Sequence, residues 1–192
     1  MTSSREEPPA ARSRPGRRAS PSLARWAYAA AIAGLTLAAT LYVRVPGPGA
    51  GQYFNLGEAV IYSAALLAGP WMGAAGAVGA ALADLLVGAA VWAPWTLVVK
   101  AVEGALVGWM ASRSRGARRW WRDLLAIVPG ALWMMAGYAL AAWVLLGPGA
   151  VPAELVIDGL QTSSSAAVAL AVAPALRAAL GRAGRDVSVR PG

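Results

Sequence analysis

Along the chain, long uniformly apolar blocks alternate with short polar or cation-rich segments. The first block runs from Trp26 to Val43 and ends at Arg44, before a Pro46-Gly-Pro-Gly-Ala-Gly loop. A second, from Leu56 to about Ala68, is cut by Gly69-Pro70, and a third runs from Trp71 to about Trp92. Pro94 precedes a fourth block from Trp95 to Ala111; the fifth spans Leu124 to Leu146 and the sixth Leu155 to about Leu176. A helix needs roughly 20 apolar residues to cross a hydrocarbon core. Most blocks reach that length, while the second is short and is either a span begun at Tyr53 or a partly re-entrant segment. Ala, Leu and Gly fill them without the alternation that a membrane β-barrel requires. The expected fold is therefore all-α: a polytopic membrane protein of six transmembrane helices.

The polar ends orient this bundle. Arg5, Arg12, Arg14, Arg17, Arg18 and Arg25 precede the first block, Arg113, Arg115, Arg118, Arg119 and Arg122 separate the fourth from the fifth, and Arg177, Arg182, Arg185 and Arg190 follow the sixth. The intervening loops near 46–53, 92–94 and 147–153 carry no Lys or Arg. By the positive-inside rule both termini are expected in the cytoplasm. Residues 1–22 read as a disordered basic cytoplasmic tail, 23–180 as the six-helix domain and 181–192 as a cytoplasmic C-terminal tail. Trp92, Trp95, Trp120, Trp121 and Trp143 lie near block ends, where indoles favour the membrane interface.

Composition narrows the chemistry. The net charge of +8 resides in clusters outside the apolar blocks, so it reports orientation and implies no nucleic-acid partner. With no Cys and no His, disulfides, thiol nucleophiles, imidazole bases and the common metal sites are excluded, and no cofactor is implied. A phosphate-binding loop is missing: the single lysine, Lys100, follows Val99 and not Gly. An intramembrane hydrolase would need Ser163, Ser164 or Ser165 activated by Lys100. A stand-alone small-solute permease is the other alternative.

Charges within apolar blocks cost about 2.5–3.5 kcal/mol each on insertion scales, so each demands a reason. Lys100 and Glu103 are spaced to pair on one helical face, as a structural ion pair or as part of a set completed by a ligand or another helix. Glu58 either caps its helix or lines an outer cavity. Asp84, placed well down the third block and away from the outside, fits a structural network. Asp158, Gln161, Thr162 and Ser165 share a helical face, as polar glue or as a ligand wall. Tyr138 offers a ring and a hydroxyl to a ligand or to the core. Small residues recur at four-residue spacing in Ala27/Ala31, Gly73/Ala77, Gly76/Ala80 and Gly104/Gly108, which permits close helix approach within the bundle or, on the first span, to an external partner.

The stretches Tyr53-Phe-Asn-Leu-Gly-Glu-Ala-Val-Ile-Tyr, Ala64-Ala-Leu-Leu-Ala-Gly-Pro-Trp-Met-Gly, Gly79-Ala-Ala-Leu-Ala-Asp-Leu-Leu and Trp92-Ala-Pro-Trp-Thr-Leu-Val-Val-Lys-Ala-Val-Glu-Gly, with Gln161, resemble the substrate-binding S components of energy-coupling factor (ECF) transporters, in the riboflavin-type branch. The resemblance covers roughly residues 26–178. It implies capture of a vitamin or vitamin-like molecule at the outer face of a prokaryotic plasma membrane. Uptake would be driven by an ECF transmembrane T component and two ATP-binding-cassette ATPases. It implies substrate contacts at Asn55, Glu58, Trp92, Lys100, Tyr138, Asp158 and Gln161, and partner docking at Ala27, Ala31 and Gly34. Glu58 stands where the family usually has Asp, and Asp158 and the serine run where it often has Asn and Gly, so the branch does not name the ligand.

Overall fold

The computed structural model describes residues 23–113 and 120–188. The terminal segments 1–22 and 189–192, and with them the whole of the expected basic N-terminal tail, lie outside the described residues, as do Arg115, Arg118 and Arg119.

The described residues form six α-helices: α1 Leu23–Tyr42, α2 Gly57–Ala68, α3 Pro70–Leu86, α4 Ala93–Arg113, α5 Trp120–Leu146 and α6 Val151–Ser188. Leu23–Tyr42, Trp120–Leu146 and Pro148–Leu180 are long and apolar enough to cross a bilayer. Helix α2, with 12 residues, rises about 18 Å and falls short of a hydrocarbon core by itself. Gly69, with φ of 86°, ends it, and Pro70 opens α3 at a position where its missing N–H costs nothing. Pro94 belongs to the first turn of α4 for the same reason, so it begins that helix where a break was expected. The third apolar block ends early: α3 stops at Leu86, and a turn through Gly88 leads to α4.

Helix α2 touches the other five helices, α3 packs on α4, α1 and α2, and α5 rests on α4 and α6. Glycines set those distances. A Cβ on Gly73 or Gly104 would run into the other's backbone, and one on Gly79 into the Ala33 carbonyl of α1. Gly108 lies against Gly69 and Pro70 in the same way. The small-residue stripes of α3 and α4 are thus used up within the bundle. On α1 the outcome differs: Ala27, Ala31 and Gly34 are exposed, and a Cβ on Gly34 would meet nothing within 4 Å. Behind the glycine seam, Ile61, Tyr62, Leu66, Val107, Ile127 and the alanines of α6 make a close-packed core.

The segment after α1 is more ordered than a simple loop. Arg44–Pro46 (β1) pairs antiparallel with Tyr53–Asn55 (β2), with Val45 opposite Phe54. This hairpin, the α3–α4 turn and the short 3-10 turn Pro148–Ala150 all gather at the cation-poor end. Trp92 donates from Nε1 to the Ala50 carbonyl at 3.1 Å, and Gly47 abuts Ile157 of α6. At the opposite end Arg177 of α6 holds Asp123 of α5 at 2.7 Å.

Candidate functional site

Beneath the hairpin, a cavity of about 40 Å³ lies among the six helices, lined by residues of α1 to α6 and of β2. All seven residues expected to contact substrate line it: Asn55, Glu58, Trp92, Lys100, Tyr138, Asp158 and Gln161.

Each wall follows from local structure. Asn55 ends β2, and its Oδ1 accepts the Gly57 N–H at 2.9 Å, fixing the turn into α2. Its amide Nδ2 and backbone N–H both donate to Gln161 Oε1 at 2.9 Å, which ties the hairpin to α6. Gln161 Nε2 then donates to Glu58 Oε2 at 3.0 Å. One residue into α2, Glu58 points inward and caps nothing: Lys100 Nζ meets its Oε2 at 2.7 Å and Glu103 Oε2 at 3.0 Å. The Tyr62 hydroxyl lies between the two carboxylates and donates to Glu58 Oε1 or, at 2.8 Å, to Glu103 Oε1. The expected Lys100–Glu103 pair is therefore one side of a buried three-residue cluster of Glu58, Lys100 and Glu103 spanning α2 and α4.

The aromatic wall is Trp92 and Tyr138, with ring centroids 6.3 Å apart and planes at 38°. Tyr138 donates to Thr96 Oγ1 at 2.9 Å, and Lys100 Nζ stands 5.5 Å from its ring centre. Trp92, expected near a span end, is only 3% exposed and faces the cavity, whereas Trp120 and Trp143 are exposed.

Asp84 also needs correction. It lies two residues from the end of α3, at the cation-poor end, and lines the cavity; Tyr53 of the hairpin donates its hydroxyl to Asp84 Oδ1. Burial first, and then the Asp84 charge, push the Tyr53 phenol well above its ordinary pKa, so it remains a donor at neutral pH. Thr40, Gln52, Tyr53, Thr96 and Glu154 are further lining residues that sequence reasoning passed over. Two had a readable signal: Glu154 precedes Asp158 by one helical turn, and Thr96 precedes Lys100 by one.

The serine run is divided. Ser163 is exposed, Ser164 donates back to the Leu160 carbonyl at 2.5 Å, and Ser165 is buried. With both close partners of Lys100 being carboxylates, no Ser-Lys pair forms among the described residues.

A family model described as the S component of the ECF-type riboflavin transporter matches residues 21–182. The chain belongs to this family. It is a helical membrane transporter subunit that binds substrate, and not an enzyme. A protein of Pyrococcus woesei, described as an uncharacterized protein in gap 3'region, is 44% identical over 126 residues, 65% of this chain and 82% of that one.

Proposed function

We propose that this S component captures a vitamin or vitamin-like molecule in the cavity beneath the hairpin and delivers it to a T component and two ATP-binding-cassette ATPases for uptake across a prokaryotic plasma membrane. The observation that carries this reading is the convergence of Asn55, Glu58, Lys100, Asp158 and Gln161, drawn from four elements, on one cavity at the cation-poor end. A purely structural polar network would be expected to close on itself, whereas this one leaves polar groups facing a space.

In this reading the chain makes six crossings with both termini in the cytoplasm, residues 1–22 and 181–192 flank the membrane domain, and the cavity faces outward. Asn55 and Gln161 link the hairpin to α6, so a ligand that reaches either residue also holds the hairpin closed. Ala27, Ala31 and Gly34 repeat along one smooth, exposed face of α1, which allows close approach of a partner helix. Energy enters through the partners, since the chain has no nucleotide-binding loop. Co-purification in mild detergent tests this: the wild-type chain should retain a T component and ATPases, and Ala31→Trp should lose them while still binding ligand. Transport of solute by the chain alone would instead establish a permease.

A further inference from the structure

The cavity has an imbalance that the transport reading does not use. Glu58, Asp84, Glu154 and Asp158 line it and Glu103 lies directly behind, each at most 5% exposed, yet Lys100 is the one cation in the lining. Lys100 is already engaged by Glu58 and Glu103. Arg44 stands outside, 5.8 Å from the Tyr53 ring centre, and is not part of the lining. That leaves Asp84, Glu154 and Asp158. Each has a buried carboxyl oxygen without a hydrogen-bond partner: Asp84 Oδ2, Glu154 Oε2 and Asp158 Oδ2. Glu154 and Asp158 occupy successive turns of one face of α6, while Asp84 approaches from α3.

A buried carboxyl oxygen without a partner is costly, and the cost falls when a cation or a hydrogen-bond donor reaches it. A metal ion is a poor match, because no three such groups converge closely enough to hold one among the described residues. The spread suits a larger molecule. The same cavity is lined by the tilted Trp92 and Tyr138 rings, and aromatic faces attract organic cations. The matched family model is described by riboflavin, an uncharged ring system, which would leave these carboxylates unanswered.

We propose that the ligand is an organic cation whose protonated amine or quaternary nitrogen sits among Asp84, Glu154 and Asp158, with its apolar body against Trp92 and Tyr138. This rests on the cavity being the ligand site, but it does not require the partner subunits. Purified full-length protein in detergent, titrated by calorimetry and tryptophan fluorescence with thiamine and choline as cations, riboflavin as a neutral molecule and biotin as an anion, tests it. At least one cation should bind at least tenfold more tightly than riboflavin or biotin. Asp158→Asn and Glu154→Gln, with helicity checked by circular dichroism, should each weaken that binding about tenfold or more. Tighter binding of riboflavin or biotin, binding of neither cation, or cation affinity unchanged in the folded variants would overturn the proposal. Loss of co-purifying ATPases would overturn the transport reading while leaving a positive titration intact, so the two can fail separately.

Discussion

Replacing Lys100 by Met probes the buried charge cluster that forms the floor of the cavity. The ammonium lies 2.7 Å from Glu58 and 3.0 Å from Glu103, and all three residues are at most 3% exposed. Its removal leaves two carboxyl groups side by side with the Tyr62 hydroxyl on both, and no other cation in contact among the described residues. Breaking one partner from a buried pair costs about 3–5 kcal/mol, and the similar length of Met limits any added cavity cost. Part of that cost returns if a carboxylate takes up a proton, so a net loss of about 2–4 kcal/mol is expected. The companion substitution Glu58→Gln keeps the Gln161 and Tyr62 contacts within reach while removing one charge. In the double variant Lys100→Met/Glu58→Gln only the Glu103 carboxyl remains, with no second carboxylate to oppose it, so the two losses should be less than additive by about 1–3 kcal/mol. Reversible denaturation in mixed micelles, followed by tryptophan fluorescence, measures each corner of the cycle. Full additivity, or a Lys100→Met variant as stable as the wild type, would refute the argument that Lys100 holds two buried carboxylates together.

Gln161→Ala removes contacts to both Asn55 and Glu58 and should weaken ligand binding by about 1–3 kcal/mol, roughly 5- to 150-fold, with helicity retained by circular dichroism. Gly73→Leu places a side chain into the Gly104 backbone and should abolish folded monomer on size-exclusion chromatography, whereas Gly34→Leu, facing open space, should not. Tyr53→Phe deletes the donor to Asp84 and should loosen the hairpin, seen as faster amide exchange at residues 44–55.

The helical membrane fold was legible because apolar length and arginine clustering are local properties. The cavity was legible in part. Glu58, Lys100 and Asp158 stand out as charges in apolar blocks, and the penalty for burying them marks them without any tertiary information. Asp84 carried the same mark, but its depth was misjudged because the third block was read through Val87 and Gly88 to Trp92, which displaced its outer end. The hairpin was hidden by glycines and prolines that read as a plain loop, since three-residue strands show too little alternation to be recognised. Trp92 was assigned to the interface by position alone; only the approach of the Ala50 carbonyl and of Gly51, where a Cβ would strike the indole, explains its burial. Thr40 and Gln52 have polar side chains of ordinary kinds, and nothing short of the assembled bundle separates them from other polar residues.

The central claim is that the outer cavity loads a molecule for uptake powered by other subunits. Proteoliposomes containing this chain, its T component and both ATPases, given the small molecule released from the denatured purified protein, test that claim most directly. The account predicts accumulation that requires ATP and falls at least fivefold in Gln161→Ala. Equal accumulation without ATP or without the partner subunits would contradict it.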